Sequence, residues 1–495
     1  MIISLSASAD TYITNKIIDE VRAINSNVGK AGTLDLFSLY DETGNATSRE
    51  VSRALIKFNI DSLKILTSSI LDIQNFRSIL KLKNILTAHP CPSNFTISVF
   101  PLAQEFDEGM GRDVISFADL GVSNYISASE NSIWFLSGCM SGGYSGSNSI
   151  DYITGANFGN GTESLEFKQS FDSGIEDLEL DVSLFTSASI VGLLENKGFR
   201  ISYTSSQEES NTSLFVKRFG SRHVKNTDLA PELLIKFDDS IIDEREDLFF
   251  NTTGSIYLIS SNNNSFINLK KINGQFLTGS NCLLVTLSTG SFSASFTGSQ
   301  KVIGDEITGF YYANIFIPEN ETSIVSGSKT LSEYISENNS ITFKEEWKTL
   351  DGTKTFFENE LEVKKENISI ATFDRIRIVT KCDGPSTIEK NEIFKIRTLF
   401  YDVLVEETAY KFSYLRQPLK LKKALYRIRD LQSNELIYDF DENYTKLSLD
   451  SIGNYCNISA STFPTLRQLT IEFKINYKGN EFIVYDSNYI INVKV

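Results

Sequence analysis

Ile471-Glu472-Phe473-Lys474-Ile475-Asn476-Tyr477-Lys478 sets apolar and polar residues in strict alternation. Side chains of a strand point to opposite faces with a period of two, so Ile471, Phe473, Ile475 and Tyr477 share one face. Glu472, Lys474, Asn476 and Lys478 share the other, the pattern of a strand half-buried in an antiparallel sheet. The same code recurs at Arg375-Ile376-Arg377-Ile378 and at Tyr426-Arg427-Ile428-Arg429, in segments separated by Gly, Ser, Asn and Asp. The 35 Phe and 20 Tyr residues against two Trp suit sheets packed through aromatic and β-branched side chains. Helix signals are sparse. The best is Asp61, a plausible N-cap before Ser62-Leu63-Lys64-Ile65-Leu66, which predicts a connector helix. The chain reads as all-β.

At 495 residues it is long enough for three or four domains of roughly 150 residues each. A 41% hydrophobic and 22% charged composition, with a mean hydropathy of -0.14, is that of a globular chain, and no apolar run approaches the roughly 20 residues of a membrane span. Lys plus Arg at 47 against Asp plus Glu at 63 gives a net charge of -16, which repels phosphate backbones and anionic lipid. Neither nucleic-acid binding nor membrane insertion is expected. Two histidines, His89 and His223, and five scattered cysteines with no Cys-x-x-Cys leave little for zinc, Ser–His or Cys–His chemistry. The start, Met1-Ile2-Ile3-Ser4-Leu5-Ser6-Ala7, lacks the basic and apolar regions of a secretion signal, so assembly in a reducing compartment is expected.

Four segments are expected: 1–244, 245–320, 321–405 and 406–495. The strand-like Leu233-Leu234-Ile235-Lys236-Phe237 precedes six carboxylates between Asp238 and Asp247, which suggests a solvated junction near 240–248. Residues 274–299, rich in Gly, Ser, Thr and Phe, suit a small sandwich of short strands. The region 321–405 is more charged and holds Trp347. The run around Gly138, Gly142, Gly143 and Gly146 predicts a long loop over 137–162. No repeat of 20–50 residues is visible, so neither a propeller nor a solenoid is expected.

Three clusters bear on chemistry. In Glu176-Asp177-Leu178-Glu179-Leu180-Asp181, Asp177, Glu179 and Asp181 share one face while Leu178, Leu180 and Val182 point inward. Such carboxylates could converge on Ca²⁺; the competing reading is a solvated acidic face. From Lys411 to Arg429 stand seven basic residues and no acidic one: Lys411, Arg416, Lys420, Lys422, Lys423, Arg427 and Arg429. They could dock an acidic neighbour, another copy's 238–247 stretch included, or form a solvated sheet face. Trp134, Tyr144, Tyr152 and Phe158 gather around the long loop, either as a stacking platform for sugars or as core and loop anchors. Gly109 and Gly111, in Phe106-Asp107-Glu108-Gly109-Met110-Gly111-Arg112-Asp113, read as a turn with charged flanks, since the rest of a dinucleotide fingerprint is missing. His89 and His223 read as lone histidines. A paired-carboxylate glycosidase has no specific motif here.

Two resemblances add to this reading. Ala9-Asp10-Thr11-Tyr12-Ile13, Asn27-Val28-Gly29, Leu34-Asp35-Leu36 and Arg53-Ala54-Leu55-Ile56-Lys57-Phe58-Asn59-Ile60 resemble the opening of the DNRLRE-type domain. Asp181-Val182-Ser183, Gly198-Phe199-Arg200-Ile201 and Pro231-Glu232-Leu233-Leu234-Ile235 resemble its later strands, over about 1–238, with departures at Ser62–Ala88 and 137–162. That resemblance implies a jelly-roll-like β-sandwich related to carbohydrate-binding modules. The segments after it are expected to form immunoglobulin-like β-sandwich modules. Phe106-Asp107-Glu108-Gly109-Met110-Gly111-Arg112-Asp113, Val216-Lys217-Arg218-Phe219-Gly220-Ser221-Arg222-His223 and Tyr426-Arg427-Ile428-Arg429-Asp430 resemble structural proteins of contractile-tailed marine bacteriophages. This implies a non-enzymatic virion component of tail, neck, collar or baseplate, assembled in the host cytoplasm, with no cofactor beyond the Ca²⁺ candidate. Its expected partners are other virion structural proteins, in a homo-oligomer or symmetric ring. The alternative is a host-envelope glycan-binding adhesin of the virion.

Overall fold

The structure, a computed structural model, describes residues 1–40, 49–65, 76–86, 91–115, 121–159, 161–262, 265–301, 309–365, 377–403 and 417–494. It is all-β and sandwich-type, with short helices only at connections. The expected helix is present as Asp61–Ile65; Ser183–Ile190, Ser205–Glu208 and Leu331–Glu337 are additional. No described helix is long and apolar enough to cross a membrane. Contacts divide the chain into two compact units, one within 2–236 and one over 237–495.

In the first unit the opening strand Ile2–Thr14 serves two partners. Its residues from Ile2 to Ser6 pair with Glu232–Lys236, and those from Ala7 to Thr14 pair with Glu50–Phe58. The register breaks between Ala7 and Ala9, and a bulge of this kind bends a strand so that its halves serve different runs. One run continues through Arg77–Leu82 to Leu178–Asp181. The other passes through Phe199–Tyr203 and Phe95–Pro101 to Phe167–Phe171. Thr33–Leu39 joins Glu50–Phe58 to Leu214–Gly220. Inward residues interlock through rings: Phe95 stacks on Phe171 at 4.9 Å and meets Tyr203 edge-on at 5.3 Å. Lys217 is buried against Phe171 and Phe219, and its Nζ donates to Asn84 Oδ1 and the carbonyls of Gly174 and Glu176, each at 2.7 Å. Burial lowers that ammonium to about 8. The expected loop over 137–162 instead holds a small sheet, with Tyr152–Asn157 between Gly142–Tyr144 and Thr162–Ser164. Its glycines serve close packing as well as turns: a Cβ on Gly142 would lie 2.6 Å from the Tyr152 ring.

In the second unit a seven-stranded sheet runs Leu248–Phe249, Thr355–Lys364, Ser340–Thr349, Leu283–Thr289, Phe292–Gln300, Phe310–Ile315, Gly254–Ile259. Its two outermost strands are adjacent in sequence, so the sheet curls around one core that includes Val285, Tyr311, Phe343 and Trp347. Leu331–Glu337 closes one end, capped by a Thr330–Glu333 capping box. Beyond it, Ile378–Asp383, Ile393–Asp402, Asn454–Ser459 and Ser448–Leu449 form one sheet. Thr387–Ile388, Ile491–Val493, Gln468–Tyr477, Ala424–Asp430 and Leu436–Tyr438 form another, with Asn480–Tyr485 added on Gln468–Tyr477. Phe400 of the first meets Phe473 of the second edge-on at 5.6 Å, as facing sheets of a sandwich do. The alternation of the opening stretch holds: Ile471, Phe473 and Ile475 are buried.

The pairing draws the segments differently from the boundaries at 320 and 405. Leu283–Thr289 pairs with Ser340–Thr349, and Ile393–Asp402 with Asn454–Ser459, so each of those boundaries would cut a sheet. The shift in charge near 321 marks the polar face of long strands rather than a new module.

Candidate functional site

Residues 27–30 and 108–111, remote in sequence, lock together in the first unit. Asn27 Nδ2 donates to the carbonyls of Glu108 at 2.9 Å and Ser123 at 2.8 Å; its Oδ1 accepts from Gly29 N and Gly111 N. The fit needs glycine, because a Cβ on Gly111 would lie 1.7 Å from Asn27 O and one on Gly29 would lie 2.0 Å from Glu108 O. The Gly-x-Gly is thus a packing device for Asn27.

This lock brings Glu108 and Lys30 to the bend of the opening strand, beside Asp10 and the segment after Leu214–Gly220. Asp10 is 1% exposed; its Oδ2 accepts from Arg222 N at 2.5 Å, and its Oδ1 has no hydrogen-bond partner among the described residues. Its own N–H donates to Glu108 Oε1 at 3.1 Å. That oxygen lies 2.8 Å from Arg222 Nε and 3.2 Å from His223 Nε2, while Lys30 Nζ stands 3.4 Å from the same imidazole nitrogen. Ligand atoms of Asp10, Glu108 and His223 fall within 4.8 Å of one another, near enough for one cation to touch all three. Arg222 and Lys30 already bring two positive charges to these oxygens, so the geometry favours a self-neutralised cluster over a metal centre. Burial pushes the Asp10 carboxyl up to about 7 against the pull of the Arg222 N–H, and the Glu108 charge adds to the rise. The site thus holds a proton near neutrality. His223 is not the lone histidine of the sequence reading; its acidic partner Glu108 lies 115 residues away in the chain. His89 lies outside the described residues.

The three clusters read from the sequence fare differently. Leu178, Leu180 and Val182 are buried, with Glu179 and Asp181 outward, as the alternation requires. The carboxylates do not converge. Asp177 binds Lys83 at 2.9 Å and Asn84 N at 2.7 Å, Glu179 pairs with Lys81 at 2.9 Å, and Asp181 accepts from Ser183 N. Lysines opposite on Arg77–Leu82 and just beyond it take the place proposed for Ca²⁺.

Lys411 and Arg416 lie outside the described residues. Lys420 pairs with Glu246 and Lys422 with Glu244 of the same chain, while Arg427 and Arg429 both meet Glu472 across the strand pair. Lys423 is exposed without an ion pair among the described residues. The 238–247 stretch is a mostly half-buried seam rather than a solvated junction: Asp238 pairs with Lys446 at 3.0 Å and Asp243 with Arg245 at 3.6 Å. Lys420 and Lys422 of the basic stretch thus meet Glu246 and Glu244 of the acidic one within one chain.

Trp134 is 2% exposed and donates through Nε1 to Asn124 O at 2.8 Å, packed with Ile13, Leu55 and Phe106. It is a core residue and offers no stacking face. Tyr144 is 60% exposed; Tyr152 and Phe158 are half-buried. All five cysteines are free, four of them buried.

No protein family and no curated protein matches the sequence. Among solved structures, a putative membrane anchored protein from Corynebacterium diphtheriae is 8% identical over 100% of this chain and 97% of that one, with a TM-score of 0.16. A trypsin-activated alpha-2-macroglobulin from Escherichia coli is 7% identical over 91% of this chain, which spans 23% of its length, with a TM-score of 0.16. The extracellular region of plexin A4 is 10% identical over 49% of this chain and 26% of that one, with a TM-score of 0.13. Likenesses this loose carry no argument, and the functional reading rests on the chain's own residues.

Proposed function

We propose that the chain is a non-enzymatic structural protein of a bacteriophage virion, a tail, neck, collar or baseplate component that connects or decorates other virion proteins. The observation that supports this reading is an apolar surface held out on a fixed frame. Ile133, ending the short strand Ser132–Ile133, and Phe135, Leu136 and Met140 in the loop after it are all exposed, Phe135 at 60%. The buried carboxylate of Asp151 fastens the loop, accepting from the backbone N–H of Phe135 at 2.6 Å, Leu136 at 3.1 Å and Ser141 at 3.0 Å. Exposed apolar side chains gathered on a rigid support suit a contact with another protein. The resemblance of three strings to tail-phage proteins supplies the kind of partner, and a symmetric ring position follows from how virions assemble.

Mass spectrometry and cryo-electron microscopy of purified particles test the proposal. The expected result is ordered density at a fixed symmetric position, with incorporation reduced several-fold by Phe135→Ser combined with Leu136→Ser. Absence of the chain from particles would overturn the reading. A second reading, a glycan-binding adhesin for the host envelope, draws on the exposed ring of Tyr144. It requires that glycan-array binding exist and fall in Tyr144→Ala; silence of the wild-type chain removes it.

A further inference from the structure

Arg53 and Arg200 stand on neighbouring strands, Glu50–Phe58 and Phe199–Tyr203, inside the first unit. Arg53 is fully matched: Nε and Nη2 grip the two oxygens of Glu208 at 3.1 and 2.7 Å, and Nη1 donates to Gly138 O at 2.8 Å. Arg200, 5% exposed, is not. Its Nε donates to Cys139 O at 2.8 Å and its Nη1 to Ser202 Oγ at 2.7 Å, both neutral acceptors. No carboxylate pairs with it among the described residues, and the acid that acts on it, Glu208, has both oxygens on Arg53. One face of the guanidinium lies 4.6 Å from the centre of the Tyr152 ring.

A cavity of about 190 Å³ opens here, lined by Arg49, Arg53, Tyr125, Tyr152 and Arg200, with the Arg53-bound Glu208 and exposed Glu209 also on its wall. Arg200 Nη2 and the Tyr125 hydroxyl make no hydrogen bond among the described residues. Burial and the nearby Arg53 charge both disfavour the charged form of Arg200. Arginine does not escape by giving up its proton, so a buried guanidinium without a counter-charge is costly until an anion joins it.

We propose that this cavity is an anion-binding site that takes a carboxylate or phosphoryl group, with Arg200 Nη2 and the Tyr125 hydroxyl as donors and the Tyr152 ring as a floor. Arg53 adds positive field without surrendering Glu208. The site is independent of the virion reading and stands whether or not the chain enters a particle.

The test is isothermal titration of the full chain at pH 7 with sodium phosphate and, separately, with sodium acetate, each against sodium chloride at equal ionic strength. Saturable binding of either anion is expected; phosphate alone marks a tetrahedral ligand and acetate alone a planar one. Arg200→Met keeps a stem of similar length over Tyr152 while removing the charge, and should weaken binding roughly ten-fold or more. Lys423→Met, on an exposed lysine outside the cavity, should leave binding unchanged. No saturable binding beyond chloride, or undiminished binding in Arg200→Met, would overturn the proposal. Should that variant fail to fold, a titration of the unsubstituted protein followed by arginine Nε–H resonances decides: a protected resonance that shifts saturably supports the site, and none shifting refutes it.

Discussion

A carboxylate buried without a full set of donors makes folding take up a proton, and Asp10 is such a group. In the unfolded chain it titrates near about 4; in the fold burial pushes it up to about 7. Between those values the native state keeps a proton that the unfolded state has released. Stability on this account is greatest below the lower value and falls as pH rises through the window, by up to about 1.4 kcal/mol per unit. Above pH 7 both states are ionised and the slope ends. Urea unfolding of the wild type at pH 5 and pH 7 should show this loss, and Asp10→Asn should flatten it; equal slopes in both proteins would show that other groups carry it. Gly111 poses a steric question at the same scale. A Cβ there would meet Asn27 O at 1.7 Å, a backbone atom that no side-chain rotation can move away. Gly111→Ala should therefore cost about 3 kcal/mol or more in chemical denaturation, far above the ordinary Gly-to-Ala difference.

At the scale of elements, the seam over 238–247 is held by one arginine more than by its many surface pairs. Arg245 Nη2 lies 3.1 Å from Glu345 Oε1 and 2.7 Å from Tyr257 O, and the same Glu345 oxygen accepts from Trp347 Nε1 at 2.6 Å. Glu345 is 0% exposed, on the core face of Ser340–Thr349. Arg245→Met would strand that charge and should cost about 3 kcal/mol in urea unfolding; Arg245→Met combined with Glu345→Gln should recover part of the loss. Recovery of nothing would mean that packing, not charge, is at stake. The contrast with what the sequence revealed is physical. Alternation is a local property, so Ala424–Asp430 and Gln468–Tyr477 were legible from their own residues. Partner choice is not local: nothing in Lys420 or Lys422 says that their acids lie at Glu246 and Glu244. The candidate cluster failed to appear for the same reason, since Asp10, Glu108 and His223 each sit in an unremarkable string and only the lock of Asn27 against Gly111 and the bend of the opening strand bring them together. The small sheet within 137–162 is not legible in the sequence because its glycines signal turns as strongly as they permit close packing.

For the whole molecule, sheet pairing predicts where the chain can be divided. Leu283–Thr289 lies between Phe292–Gln300 and Ser340–Thr349, and its inward Leu283, Val285 and Leu287 share a core with Phe343 and Trp347. A fragment ending at 320 would lose that neighbour strand, expose a row of backbone donors and acceptors and uncover those apolar residues. A division at 236/237 instead follows the contacts and leaves each sheet whole, with Ile2–Thr14 still paired to Glu232–Lys236. Fragments 1–236 and 237–495 should therefore each show β-type circular dichroism and a cooperative thermal transition, whereas 245–320 should show neither. The comparison is informative in both directions. A cooperatively folding 245–320 would mean that strands from Ser340 to Lys364 add to a module already complete, and the core around Trp347 would then be accessory. Failure of 237–495 while 1–236 folds would mean that the second unit draws its stability from the intact chain rather than from its own sheets.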